Sequence, residues 1–379
     1  MKYFCLTHST RKMAFHEASL NYLTRRYASP DRLKNLPPLE SLPNEYCSEY
    51  IGNVSVWKTS DDFMQRPVLI AFMEKNYKIQ HAAIHKDKLI LCGTAFIEIY
   101  NIQDVIDNQG SATCERIISH PWFSGGHTVV VNKAGELVVT CSGSDAILFF
   151  DLSGNLVRYY RMPEQLYGHN YDLKLTDDTR LHYIRNDFQL THINCASEYR
   201  DGYLVSALIQ GLIGFFDRNG QYTEISRGFV GCHGVRPQYP ETDSFYFSDS
   251  TRGTLVEMNF KGVIKRRFSL ESKWLHDALC IGENHYMFVP SDLNTMEFWN
   301  IQSEEKIWEV KCDIFGATSQ FLSNISDCPF KLGEKQDLEI LLAQKYQKKV
   351  SVEKEEKSKV PKPFKKILEK ISLLKKRIA

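Results

Sequence analysis

The chain has no run of apolar residues near the ~20 that a membrane-spanning helix needs, and almost no charge imbalance, with 47 Lys and Arg against 46 Asp and Glu. The first absence argues against a spanning helix, and the second against bulk electrostatic attraction to nucleic acid. No stripe of basic residues interleaved with aromatics makes up for it, so nucleic acid is not an expected partner. Three catalytic signatures are also missing: the Gly-x-Ser-x-Gly elbow, the Gly-x-x-x-x-Gly-Lys-Ser/Thr phosphate loop, and His-Glu-x-x-His. Their absence removes the commonest serine-hydrolase, P-loop and zinc-peptidase readings. None of the 10 cysteines forms a Cys-x-x-Cys pair, and Cys92, Cys141, Cys195 and Cys280 sit inside apolar strand patterns. A small buried thiol is the ordinary role there. The opening Met1-Lys2-Tyr3-Phe4-Cys5-Leu6 meets His8, Arg11 and Lys12 without an apolar run of signal-peptide length. A reducing, cytoplasmic setting is therefore expected.

What the chain does have is aromatic residues and repetition. Its 19 Tyr and 22 Phe favour β-structure, because aromatics fit a pleated, half-buried surface. Residues 192–220 show the recurring layout: a histidine, a short strand, a polar turn at Arg200-Asp201-Gly202, a second strand from Tyr203, a third from Leu212, and an Asp217-x-x-Gly220 turn. The same order recurs from His81, His127, His233 and His276, each unit followed by one more apolar run. Four strands in roughly forty residues is the period of a β-propeller blade. His192 to His233 is 41 residues, His233 to His276 is 43 and His81 to His127 is 46, whereas His127 to His192 is 65. The surplus is an insertion at residues 164–190, carrying His169, Asp172, His182 and Asp187, expected to cover one mouth of the disc.

The expected fold is thus all-β, a propeller of five or six four-stranded blades over residues 46–330, with a C-terminal helical tail. Five units are counted directly. A sixth can be assembled from the two ends, with residues 51–78 giving outer strands and residues 315–329 an inner one. Residues 1–45 read as an irregular segment, helical near Leu20 and Leu23 and proline-rich from Pro30 to Pro43. Residues 331–379 read as a charged tail. Its Phe364, Ile367, Leu368, Ile371, Leu374 and Ile378 form an apolar stripe on a lysine-rich helix, suited to the propeller's outer wall, a membrane surface or a partner helix through residues 361–379.

The innermost strand of a propeller blade lines the central channel, so histidines heading five inner strands are expected to meet in one ring: His81, His127, His192, His233 and His276. Alternation along a strand points Ala83, Val129, Asn194, Val235 and Ala278 the same way. Converging imidazoles repel when charged and waste hydrogen-bonding capacity when unpaired. A divalent transition metal resolves both, with Fe(II) favoured over Cu or Zn. The leading expectation is a metal-dependent enzyme of oxygenase or lyase type acting on a small organic substrate. In it Asn194 bonds substrate or water and Asp277 orients a neighbouring imidazole. The alternative is an interaction platform whose histidines brace the blades, as the Gly-His element does in WD repeats. His120, His169, His182 and His285 are expected to be surface, lid or structural residues.

The elements His192-Ile-Asn194, Asp201-Gly-Tyr-Leu-Val-Ser206 and Phe216-Asp-Arg-Asn-Gly220 resemble the repeats of arylsulfotransferase-like and NHL-like propellers, over about residues 79–312. That resemblance implies a propeller and, from the arylsulfotransferases, sulfuryl transfer through an axial histidine with an arginine beside it. Val205-Ser-Ala-Leu208 stands where that family has Ser-Ser-Arg, leaving Arg236 and Arg252 as substitutes. The histidine ring is also similar in plan to carotenoid-cleaving oxygenases, which hold iron with axial histidines, and to lyases with a metal in a His-lined channel.

Overall fold

The structure, a computed structural model, describes residues 1–11, 50–75, 77–163, 166, 191–238, 242–312 and 318–324. Two units divide the chain: residues 1–313 with 317–332, and residues 314–316 with 333–379. The second unit, the expected tail helix, the helix near Leu20 and nearly all of the 164–190 insertion lie outside the described residues.

Six four-stranded antiparallel sheets make up the first unit, so the count is six blades. The first blade is β4 (His81–His85), β5 (Lys88–Cys92), β6 (Ile97–Asn101) and β7 (Arg116–Ile118), with a short helix α1 (Ile102–Asp107) before its last strand. The second is β8 (Gly126–Val131), β9 (Leu137–Cys141), β10 (Ala146–Phe150) and β11 (Leu156–Arg161). The third is β12 (Ile193–Tyr199), β13 (Gly202–Ala207), β14 (Leu212–Asp217) and β15 (Tyr222–Arg227). The fourth is β16 (Cys232–Pro237), β17 (Ser244–Asp249), β18 (Thr254–Asn259) and β19 (Ile264–Ser269). The fifth is β20 (Leu275–Gly282), β21 (His285–Pro290), β22 (Thr295–Asn300) and β23 (Glu305–Lys311). Both ends of the unit build the closing blade, in the order β24 (Thr318–Leu322), β1 (Lys2–Arg11), β2 (Tyr50–Thr59), β3 (Val68–Lys75).

Lys2–Arg11, placed by the sequence pattern in an irregular N-terminal segment, is a full strand paired from Lys2↔Thr59 to Arg11↔Tyr50. Its partner lies across a long intervening segment, so no local signal marks it.

Burial explains the strand types. Middle strands such as β9, β10 and β13 are buried at every residue, whereas the outer strand β11 alternates half-buried and exposed positions up to the buried Tyr160, as one-sided packing requires. Each core is shared by two blades: Ile90 and Ile99 pack with Val129, Val139 and Leu148, and Ile213 and Phe215 pack with Phe245 and Val256. The turns closing the third strands use one device. Asp151, Asp217 and Asn259 accept the backbone N–H four residues on through a side-chain oxygen, at 2.8–2.9 Å. Gly154, Gly220 and Gly262 then take the positive φ that the turn demands. The six inner strands contact one another in a cycle, β4 to β8, β12, β16, β20, β24 and back to β4. That closed circle is what brings distant residues to one axis.

Candidate ligand site at the channel mouth

Ladder registers show how each histidine arrives. Gly126, Ile193, Cys232 and Leu275 pair with the last residues of the second strands, Cys141, Ala207, Asp249 and Pro290. The residue after each is His127, Asn194, His233 and His276, so three histidines and Asn194 share one position. His81 itself pairs with the last residue of β5, Cys92, and sits one place earlier. His192 sits earlier still, ahead of β12. The five imidazoles therefore do not occupy a single register, contrary to the sequence reading. Register shifts interrupt β8, β12, β16 and β20 just past this point, and a bulge re-aims the side chains that follow it. This also corrects the residues two places on: Ala83 and Val129, Val235, and Ala278 pack in the cores between blades rather than lining the channel.

His192 reaches the group by a strained route. Its φ is +53°, a left-handed conformation that costs a non-glycine residue ~1–2 kcal/mol. Asp145, in the turn between β9 and β10, holds it there. One carboxylate oxygen, Oδ1, accepts from Thr191 N at 3.2 Å, Thr191 Oγ1 at 2.6 Å and His192 N at 2.9 Å.

The rings do converge. Ring centroids lie 5.2 Å apart for His127–His192, 6.0 Å for His127–His233 and 4.8 Å for His233–His276. Among them sits a residue the sequence pattern gave no reason to choose, Phe321 of β24. Its ring is 4.5 Å from His276, 5.4 Å from His127, 5.5 Å from His81 and 6.1 Å from His233. Trp274 adds a wall 5.7 Å from His233 and 6.2 Å from His276.

Hydrogen bonding divides the group in two. His233 Nδ1 lies 2.8 Å from Gly231 O and 2.9 Å from Ser250 Oγ; a carbonyl only accepts, so the proton is on Nδ1. His276 Nδ1 meets Ser291 Oγ at 3.2 Å. His81 Nδ1 accepts from Val129 N at 3.5 Å, which puts its proton on Nε2. These three brace the strands. For His127 and His192, 7 % and 5 % exposed, Nδ1 has no hydrogen-bond partner among the described residues.

All five imidazoles are held neutral, first by burial. Burial pulls His81 and His233 down to about 4 and His192 to about 3, and puts His127 and His276 well below the usual 6.5. The ring members add mutual repulsion, His233 acting on His127, His192 and His276. Lys78, half-buried in the connection from β3 to β4, presses in the same direction on those same three. On the other side Asp277 favours the charged form of His81 and His233.

Asp277 and Asn194 are both committed to the scaffold. Asp277 is fully buried; Arg236 forms an ion pair with it, with Nη2 donating to Oδ2 at 2.9 Å, and Ala278 N and Leu322 N donate at 2.9 Å each. Arg236 also donates to Ala278 O and Leu322 O. The pair thus fastens the closing strand β24. Asn194 Nδ2 donates to Cys232 O at 2.6 Å, and its Oδ1 accepts from Ser206 Oγ at 2.7 Å. Arg252 pairs with Asp249 at 2.8 Å. Of the remaining histidines, His120 Nδ1 accepts from Trp122 N at 3.1 Å and His285 Nδ1 lies 2.9 Å from Glu283 O, while His169 and His182 lie outside the described residues.

Among the described residues, no three His, Cys, Asp or Glu side chains are grouped so as to hold a metal ion as they stand. Phe321 occupies space between the imidazoles, and the nearby charge felt by His127, His192 and His276 is the cation of Lys78. No described helix is long and apolar enough to cross a membrane.

No protein-family model matches the chain, and no curated protein matches it significantly. Among solved structures, a protein of unknown function from Bacteroides caccae aligns with a TM-score of 0.52 at 10 % identity, covering 72 % of this chain and 94 % of that one. Virginiamycin B lyase from Staphylococcus aureus aligns with a TM-score of 0.42 at 12 % identity, over 62 % of this chain and 69 % of the lyase. A streptogramin B lyase structure gives 0.42 at 11 %, over 62 % and 68 %. At 10 % identity the likeness to the Bacteroides caccae protein is one of fold alone.

Proposed function

We propose that the histidine mouth is a binding and reaction site for a small organic substrate, received by His127 and His192. The observation that carries this reading is the pair of adjacent, buried imidazoles whose Nδ1 atoms lack partners among the described residues. An unsatisfied buried polar atom costs ~1–3 kcal/mol, and a ligand that bonds both nitrogens removes that cost. Burial holds His192 at about 3 and His127 well below the usual 6.5, so both rings are neutral at pH 7 and their natural roles are hydrogen bonding and coordination rather than proton storage. Phe321 and Trp274 offer apolar walls for an organic body. The test is to incubate the full chain, and its His127→Phe/His192→Phe variant, with a small-molecule extract and to follow substrate loss by mass spectrometry. The reading expects at least one compound consumed by the unmodified chain alone. Identical profiles would refute it and leave the bracing role of an interaction platform.

A second reading, a transition metal with Fe(II) favoured over Cu or Zn, draws on ring spacing. Imidazoles bound ~2.1 Å from a shared ion have centroids roughly 4.5–6.5 Å apart, and the 4.8–6.0 Å separations here fall in that range. Such an ion would need the rings to turn about their χ angles. Elemental analysis of tag-free protein decides it: stoichiometric metal that disappears in the double variant supports the ion, and none after reconstitution removes it.

A further inference from the structure

We infer that the closing strand β24 is the element that assembles the histidine mouth. Its docking seats Phe321, the positioning residue, among the imidazoles, so the order of the mouth and the closure of the propeller are one equilibrium. The inference concerns how the mouth is built and stands whatever ligand the mouth receives.

Three observations combine. The first is the place of Phe321. Its ring lies 4.5–6.1 Å from four of the five imidazoles and is 1 % exposed. For His81 it is the only ring neighbour among the described residues, so by ring contact Phe321 alone joins that imidazole to the others. The second is how Phe321 is aimed. The ladder between β24 and β1 shifts register between Leu6↔Leu322 and His8↔Ser319, and Phe321 lies in that shift, where a side chain is re-aimed. Side chains serve the backbone there: Thr7 Oγ1 accepts from Phe321 N at 3.2 Å, and Asp277 Oδ2 accepts from Leu322 N at 2.9 Å. The third is where the strand is tied. β24 has five residues, and its ladder partner β1 lies at the other end of the chain, so no hairpin holds it. Arg236 donates to Leu322 O at 3.3 Å. Asn324, just past the strand, accepts from Ile84 N at 3.0 Å and donates to Ile84 O at 2.7 Å. Arg236, Asp277 and Ile84 belong to β16, β20 and β4, the strands that carry His233, His276 and His81. A short strand tied in this way belongs to the low-stability end of a fold. Whatever binds only the assembled mouth then favours docked β24 by the same factor.

The test uses the full chain without ligand. Amide exchange at Leu322 reports on β24, and imidazole nitrogen NMR signals report the histidine tautomers. Asn324→Ala and Thr7→Val each remove bonds that tie the strand, and neither side chain bonds an imidazole. Both are expected to speed exchange at Leu322 about tenfold. In the same proportion they should mix the tautomers of His81 and His276, with His120 and His285 unchanged. Phe321→Leu leaves the backbone bonds of β24 in place; it is expected to mix the same tautomers with exchange at Leu322 raised less than about threefold. Should Thr7→Val fail to fold, Asn324→Ala, at an exposed position, supplies the measurement. Faster exchange with both tautomers as in the unmodified chain would overturn the inference, because the mouth would then stand without its strand. So would unchanged exchange in Asn324→Ala, or Phe321→Leu with both tautomers intact. None of these outcomes bears on the small-molecule reading, whose own test is substrate loss.

Discussion

Acidification is the sharpest perturbation of this site. His8, His81, His127, His192, His233 and His276 are all pushed below 6.5 by burial, to values of about 3–4 for four of them and well below 6.5 for the other two. In the unfolded chain each titrates near 6.5. Between about pH 6.5 and the folded values, the unfolded chain therefore binds protons that the folded chain does not. Stability is fully present above pH 6.5 and falls as pH drops toward 3–4. At about pH 5.5 each group contributes roughly 1.4 kcal/mol less than at pH 7.5. The six together make a loss on the order of 8 kcal/mol, against a typical whole-domain stability of ~5–15 kcal/mol. Carboxylates do not confuse this window. Asp62, Asp151 and Glu136 are lowered by hydrogen bonds from Ser60, Asn155 and Arg158, so their contribution is lost only below their ordinary range near 4. Urea unfolding followed by tryptophan fluorescence at both pH values measures the difference, and His127→Phe should lower the proton uptake by about one. A difference under about 2 kcal/mol would mean the imidazoles are not desolvated as described.

Three further outcomes are expected. Arg236→Met leaves the Asp277 carboxylate buried without its cation and should cost ~3–5 kcal/mol. Calorimetry would register this, with faster amide exchange at Leu322, and an unchanged melting temperature would contradict the closing role of the pair. Gly234 has φ +59°, and a Cβ there would stand 2.3 Å from Asp277 Oδ1, so Gly234→Ala should cost at least ~2 kcal/mol in urea titration; a neutral result would mean the channel relaxes freely. Asp145→Ala removes three hydrogen bonds at the His192 turn and should cost ~2 kcal/mol or more. The same change should broaden the His192 ring signals in NMR, and sharp, unshifted signals would show that the left-handed turn stands without its carboxylate.

Blade period and closing turns were readable because they are local. An Asp or Asn followed by Gly three places on fixes a turn by side-chain bonds within five residues, and the strands on either side alternate or run apolar accordingly. Convergence of the histidines followed from that period alone. Their register did not, because a bulge shifts facing by one residue and leaves no mark in composition. Phe321 was harder to single out: an inner strand was expected within residues 315–329, but no histidine heads it and no repeat register fixes which of its side chains meets the ring. The partners of Asp277 were hidden in the same way, since Arg236 lies on the preceding blade and Leu322 on the closing strand. A carboxylate beside a histidine suggested an orienting role in the sequence, yet its bonds run to the scaffold.

The division of the ring is the strongest reason to look for a ligand. If all five histidines merely braced blades, each would have its buried nitrogen held, as His233 Nδ1 is by Gly231 O and Ser250 Oγ and His8 Nε2 is by Ser55 Oγ at 2.8 Å. His127 and His192 depart from that pattern side by side, and one of them is held in a left-handed turn that a more ordinary backbone would avoid. Leucine or phenylalanine at either place would remove the unsatisfied nitrogen and keep the apolar contact with the neighbouring rings. Retaining imidazole there costs ~1–3 kcal/mol per orphaned atom, plus strain at His192 of similar size, a large share of a domain's net stability. The proposal of a binding site rather than a joint between blades rests on that pair of costs falling side by side, next to the apolar faces of Phe321 and Trp274.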